Sequence, residues 1–427
     1  MQRSDYPESY YSASAHLLAA QPPLRGSTHS EVVVVGAGIC GLTTALELRQ
    51  RGYEVSLIEA KRVGWGASGR SGGQILTSYA CEMEPLKAQL GDKAARHLWE
   101  MSLEAVQLVR QHIAQHQIDC DWYEGSLTAA IKPRQVNSLR EWQHSLEQEY
   151  QYPHLRFYQG EEMAQVINSQ RYLAIVEDKL AGHLHPLNYT LGLAKAALAA
   201  GVKIYEQSPV DRLERGARPR IHCGEASISC DHLVLCGNAY LGWLVPELAR
   251  KIMPVGTYIV ATEVLGEERL RALLPGYHSV ADTNFVLDYF RPTGDHRLLF
   301  GGRVSYSGIQ PPDLASGLRR RMLKVFPSLE DAKIEHAWGG MVDITVNRAP
   351  HFGRLGQDNI YFAQGFSGHG MALTNLAGKV MAEAIAGSSE RLDVFARLKH
   401  LDFPGGPWLR TPALVLGMLY YRLRDLL

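Results

Sequence analysis

Val32 to Glu59 reads VVVVGAGICGLTTALELRQRGYEVSLIE, and this stretch decides the fold. Val32-Val33-Val34-Val35 predicts a short parallel strand buried on both faces, because no polar residue interrupts the β-branched run. Gly36-Ala37-Gly38-Ile39-Cys40-Gly41 follows directly, and Leu42, Ala45, Leu46 and Leu48 mark the apolar face of a helix. Gly52 stands where a helix ends in the left-handed region. Glu54-Val55-Ser56-Leu57-Ile58 then predicts a second strand, ending on Glu59. Strand, glycine turn, helix, strand and acid in that order form a dinucleotide-binding βαβ unit. In such a unit Gly36 makes the tight turn, Gly38 admits a pyrophosphate to the backbone, and Gly41 lets helix and strand pack closely. Ile39 and Cys40 open the helix, whose free N–H groups and partial positive charge attract phosphate. Glu59, with Ala60 and Lys61 beside it, is expected to accept hydrogen bonds from a ribose and to repel a phosphorylated one. A ligand carrying an ADP moiety is therefore expected.

Beyond Glu59 the chain runs Val63-Gly64-Trp65-Gly66-Ala67-Ser68-Gly69-Arg70-Ser71-Gly72-Gly73-Gln74. So many glycines make neither a good helix nor a good strand, and following the ribose strand they predict backbone laid against a flat ligand. Residues 83–117 and 134–150 read as helices, with Trp99, Leu103, Val106, Val109 and Ile113 as core face and His97, His112 and His116 toward solvent. Residues 122–131, between them, read as a hairpin arm. Pro186 opens a helix through Ala200, and strands follow at 202–206 and 228–236, the latter running into Gly237. Residues 250–345 are rich in β-type runs (258–263, 285–291, 298–303, 334–338) and include a helix at 313–326. A final strand at 359–364 enters Gly365-Phe366-Ser367-Gly368-His369-Gly370-Met371, and a helix follows. Its N-terminus suits the pyrimidine end of an isoalloxazine, which becomes negative on reduction.

The chain has 427 residues, enough for two domains. Lys plus Arg and Asp plus Glu number 44 each, so no global field recruits nucleic acid or an anionic membrane. Six scattered cysteines form no C-x-x-C pair and read as reduced thiols. No metal site, signal-peptide core or membrane span is expected, and the apolar run Ala413 to Tyr421 stops at Arg422. A cytoplasmic protein follows, with homo-oligomerisation left open. The N-terminal arm, with Ser9-Tyr10-Tyr11-Ser12 and Gln21-Pro22-Pro23-Leu24, reads either as a segment lying on another surface or as disordered.

Together these motifs resemble the flavoprotein family of D-amino-acid oxidase, glycine oxidase and sarcosine oxidase, and within it the bacterial gamma-glutamylputrescine oxidases. The likeness spans nearly the whole chain. It rests on the Ser9-Tyr10-Tyr11 arm, Gly64 to Gln74, Trp338-Gly339-Gly340-Met341 through Asn347-Arg348-Ala349-Pro350-His351, Gly365 to Gly370, and the tail from Arg410 to Leu423. The resemblance implies an α/β plus α+β architecture in which a Rossmann-like FAD domain (31–80, 181–245, 346–400) is interleaved with an antiparallel-sheet substrate domain (81–180, 246–345). Residues 1–30 form an arm and 401–427 a tail. It assigns the pyrophosphate to Gly36, Gly38 and Gly41, the adenine to Val210, the ribityl and flavin to Ala67, Ser68, Gly69, Arg70, Gly73 and Gln74, and the pyrimidine end to Gly365, Gly368, His369, Gly370 and Met371. Sarcosine oxidases attach FAD to a cysteine that falls near Met341-Val342-Asp343; none is present there, which implies non-covalent FAD. They also carry an oxygen-activating lysine where this chain has Leu298-Leu299-Phe300.

The implied reaction is FAD-dependent oxidation of a polyamine-type C–N bond, of gamma-glutamylputrescine or a free polyamine, to an imine that hydrolyses to an aldehyde. Oxygen or another acceptor takes the electrons. No second glycine fingerprint offers NAD(P)H a site, so the substrate is the electron donor. Tyr258, Tyr289, Arg291, Arg303, Trp338 and His369 are the pocket candidates: aromatic faces for a cation, an arginine for a glutamyl carboxylate. The competing readings are sarcosine- or glycine-oxidase-like chemistry, an NAD-linked dehydrogenase, and a non-catalytic FAD-binding assembly protein.

Overall fold

The computed structural model describes residues 5–284, 287–305, 313–356 and 359–404, with side chains omitted at 303–305. The tail, and Phe285-Val286 of one expected strand, lie outside the described residues.

The valine run explains the first sheet. Val32 and Val34 face a helical core, while Val33 and Val35 enter a second core on the opposite side. A strand covered on both faces needs no polar alternation. Strand Ser27–Val35 pairs in parallel with Val55–Ile58 on one side and Ala226–Leu235 on the other. Lys203–Tyr205 and Ile360–Gln364 extend the sheet in parallel, and His351–Leu355 closes it antiparallel. Three separate stretches of chain thus meet in one sheet. Helices Ile39–Gln50, Pro186–Ala199 and Gly370–Ile385 cover one face, joined by Asp92–His116.

The second sheet runs in the order Ile334–Ile344, Met253–Thr262, Leu298–Ser305, Tyr289–Pro292, Ser279–Asp282, Tyr123–Ala130, Ala174–His183 and Gln74–Ile75. Helix Leu314–Val325 packs on its outer face, where Tyr258 and Val260 join its apolar residues. Ile259 and Ala261 point the other way, into the core shared with the first sheet's helices. The period-2 alternation of a strand therefore sorts this element into a rear face and a site face.

Several expectations change. Gly91, at φ +85°, divides the 83–117 helix into Met83–Leu90 and Asp92–His116. Tyr123–Ala130 is a single strand paired with Ala174–His183, not a hairpin. His112 is buried, with Nδ1 3.2 Å from the Tyr189 hydroxyl and 3.1 Å from Asn375 Oδ1. The N-terminal arm is packed: Ser9 and Ser12 form a capping box on the short helix Tyr10–Ser14, and the Tyr6 hydroxyl donates to the Val63 carbonyl at 2.9 Å.

Candidate active site

The glycine turn opens on a cavity of about 450 Å³ between the ends of the first sheet's strands and the Gly64–Gln74 segment. Gly36, at φ +105°, is held so close that a Cβ would lie 2.8 Å from the Cys236 carbonyl oxygen. A Cβ on Gly41 would lie 2.0 Å from the Gly36 carbonyl oxygen, so no other residue fits between helix and turn. Gly38 has a neighbour the sequence did not announce. Ser68 Oγ accepts the Ile39 N–H at 3.1 Å and would sit 2.7 Å from a Cβ on Gly38.

Of the expected cofactor residues, Gly36, Gly38, Ile39, Cys40, Glu59, Ala60, Lys61, Ala67, Ser68, Val210, Gly237, Gly368, Gly370 and Met371 line this cavity. Gly41, Gly69, Arg70, Gly73, Gln74, Gly365 and His369 do not. Gly41, Gly69 and Gly365 stand one layer back, each pressed against a neighbour at a distance that excludes a side chain. The Arg70 side chain turns aside. Its guanidinium lies 4.4 Å from the Trp65 ring centroid and donates to the Tyr240 hydroxyl at 2.6 Å and the Gly339 carbonyl at 3.3 Å.

Glu59 ends strand Val55–Ile58 and braces the turn itself. Its Oε2 accepts the Ala37 N–H at 2.8 Å and its Oε1 the Lys61 N–H at 2.9 Å. Burial raises its pKa, against the pull of those backbone N–H groups. Cys40 and Cys236 meet across the floor with sulfurs 3.2 Å apart. The contact with Cys236 raises the Cys40 thiol's pKa, and burial adds to it. All six cysteines are free.

Sequence reasoning missed the far wall. Asp343, from strand Ile334–Ile344, is buried and lines the cavity. It accepts hydrogen bonds from the Gly365 and Phe366 backbone and the Asn238 side chain, and burial raises its pKa despite them. Asn238 Oδ1 is buried without a partner, an acceptor left for whatever fills the cavity. Tyr240 and Phe366 complete the wall. The signal available was adjacency: Asn238 follows the flagged Gly237, and Asp343 lies where a covalent cysteine was sought.

On the other side of the glycine-rich segment is a cleft too narrow to admit a water molecule, lined by Gly72, Gln74, Ile259, Tyr289, Phe290, Arg291, Leu299 and Gly301. Tyr289 is wedged there between two glycines. A Cβ on Gly72 would meet its ring at 2.9 Å, and one on Gly301 at 2.2 Å. Burial raises its pKa, opposed by a hydrogen bond with Thr257. Arg291 is buried and already engaged. Its Nε donates to the Gly72 carbonyl (2.6 Å), Nη1 to the Pro292 carbonyl (3.0 Å) and Nη2 to the Tyr11 hydroxyl (3.0 Å).

The remaining pocket candidates fall elsewhere. Tyr258 is on the rear face of its strand, in the outer core, and is not part of the cleft. Trp338 stands behind the glycine-rich segment, donating from Nε1 to the Arg70 carbonyl at 3.1 Å. His369 precedes helix Gly370–Ile385. Its Nδ1 is buried without a partner, and burial, reinforced by Arg348, lowers its pKa to about 4. The Arg303 side chain lies outside the described residues.

A glycine cradle closed to any Cβ, a cavity ending in a second glycine turn, and a largely antiparallel sheet with one parallel pair, Ser279–Asp282 with Tyr123–Ala130, fit a flavin-dependent oxidoreductase. The fit to FAD rests on the crowded Gly36 and Gly41 and the unpartnered Asn238 Oδ1. The chain belongs to the DAO family, described as FAD dependent oxidoreductase, which it matches over residues 31–384. It is an FAD-dependent enzyme, as the resemblance in its sequence implied. It is 40% identical over 423 residues to the gamma-glutamylputrescine oxidoreductase of Escherichia coli (strain K12), covering 99% of both chains. It is 39% identical to the probable oxidoreductase OrdL of Haemophilus influenzae, over 99% of this chain and 98% of the other. The glycine oxidase structure from Geobacillus kaustophilus shares the fold, with a TM-score of 0.73 at 19% identity, covering 87% of this chain and 99% of that one.

Proposed function

We propose that the protein oxidises the terminal amine of gamma-glutamylputrescine or a related polyamine, releasing an aldehyde and ammonia after hydrolysis of the imine. Bound FAD supplies the acceptor for the hydride equivalent. The chain's own residues orient the amine and exclude water. The observation that carries the choice of amine is the likeness, 40% identity over 99% of both chains, to an enzyme named for gamma-glutamylputrescine. The test is product analysis with gamma-glutamylputrescine: aldehyde and ammonia in equal amounts are expected, with no turnover of glycine or sarcosine. Preferential turnover of sarcosine would move the assignment to N-methyl amino acids.

FAD is held non-covalently in this reading, because the strand facing the cavity offers Val342 and Asp343 rather than cysteine. Acid precipitation then leaves all flavin in the supernatant. The electron acceptor is one that works faster than oxygen. Leu298 and Phe300 are buried in the rear core, and Leu299, facing the cleft, carries no charge to stabilise developing superoxide. Substrate-reduced enzyme should reoxidise more slowly in air-saturated buffer than with an artificial acceptor. The working compartment is taken to be the cytoplasm; among the described residues no helix is long and apolar enough to cross a membrane.

A further inference from the structure

The N-terminal arm reaches the segment that borders the flavin cavity. Ser71 lines the cavity, while Gly72 and Gln74 pack against Tyr289 and Arg291 of the second sheet. The segment Arg70–Gly73 is therefore a wall of the flavin cavity backed by the second sheet. Side chains of the second sheet grip two of its carbonyls: Trp338 Nε1 holds that of Arg70 at 3.1 Å, and Arg291 Nε that of Gly72 at 2.6 Å.

Both grips converge on one residue. The Tyr11 ring packs edge-on against Trp338 with centroids 5.2 Å apart, and its hydroxyl accepts from Arg291 Nη2 at 3.0 Å. Tyr11 is fully buried. The ring also meets Tyr10, at 5.7 Å, and His185, at 5.0 Å, whose Nε2 lies 3.0 Å from Ser14 Oγ of the same arm helix. We propose that Tyr11 is a positioning residue for amine oxidation: it sets the Arg70–Gly73 wall through Arg291 and Trp338. The wall has little slack, since a Cβ on Gly73 would lie 2.2 Å from the Leu184 carbonyl oxygen and 3.0 Å from Arg291 Nη2. With no carboxylate paired to Arg291 among the described residues, its orientation depends on three directional hydrogen bonds to neutral acceptors. Removing the Tyr11 hydroxyl frees one arm of the fork and lets the Gly72 contact shift. Displacements on the ångström scale at a reacting centre cost rate far more than binding.

Tyr10 provides the control within the same helix. Its hydroxyl donates to Asp295 Oδ1 at 2.7 Å rather than to Arg291 or the wall. The experiment compares Tyr11→Phe and Tyr10→Phe as FAD-loaded enzymes. Tyr11→Phe should keep full flavin content and an unchanged KM. It should alter the visible circular dichroism of bound flavin and slow anaerobic flavin reduction by roughly tenfold to a hundredfold. Tyr10→Phe should match the unmodified enzyme in all four. The proposal rests on the amine reading only for the reductant, and the dichroism needs no substrate, so a wrong choice of amine leaves that comparison intact. Unaltered dichroism in Tyr11→Phe, or equal losses in both variants, would overturn it.

Discussion

Glu59 shows what a single residue's reading carries and what it omits. Its position after the second strand announces an acid for the ribose, and the side chain does line the cavity. Its backbone contacts, to Ala37, Lys61 and Ala60, were not legible, because the return of the carboxylate to its own turn depends on how the strand ends pack. Glu59→Ala removes the ribose acceptor and also leaves the Ala37 N–H without its partner. FAD affinity should fall by a few kcal/mol, about 1.5–3 for each charged hydrogen bond lost, measured by titrating apoprotein with FAD. Unchanged affinity would mean that Glu59 serves the turn alone. The fingerprint glycines were legible for the opposite reason: crowding at Gly36 and Gly41 arises within one local unit. Arg291 was singled out as a carboxylate clamp, yet its three partners come from residues distant in sequence or from its own strand, which periodicity does not reveal.

Strands and helices were legible where the local pattern was distinctive. The unbroken valine run marks its strand, the glycine fingerprint opens the helix after it, and apolar spacing marks helix Gly370–Ile385. Pairing was not: Gln74–Ile75 is only two residues long, and Tyr123–Ala130 finds its partner across the helix Pro133–Tyr150. Facing depends on register in the same way, since a shift of one residue exchanges the two faces. Tyr258 and Ile259 look equally plausible in the sequence, and only the packing of helix Leu314–Val325 assigns Tyr258 to the rear. Tyr258→Leu should therefore leave the rate of flavin reduction unchanged while lowering thermal stability through the cavity it leaves in the outer core. A large loss of rate with a normal melting temperature would return Tyr258 to the site.

At the scale of the molecule, assembly from three stretches of chain brings titratable groups into regions their neighbours in sequence do not foretell. His400 and His351 pack with ring centroids 4.3 Å apart and planes tilted by 36°. Burial, with Lys251 adding to it, lowers the pKa of His400 from the ordinary 6.5 to about 4. Between those values the unfolded chain binds a proton that the folded chain refuses, so His400 makes stability fall as pH drops from 6.5 toward 4. His400→Gln should flatten that fall, its melting temperature gaining on the unmodified protein as the buffer is acidified. A constant difference across the range would show that His400 titrates normally. The broad function and the class of amine were legible because motifs spread along the whole chain carry the family resemblance, whereas the facing of the strands that would meet the amine was not, since it is set only on folding. The most direct measurement is anaerobic mixing of the purified protein with gamma-glutamylputrescine, putrescine, sarcosine and glycine while visible flavin absorbance is followed. Loss of the oxidised-flavin band is expected fastest with gamma-glutamylputrescine or putrescine. A bound flavin that none of these amines bleaches, or that sarcosine or glycine bleaches fastest, would contradict the account.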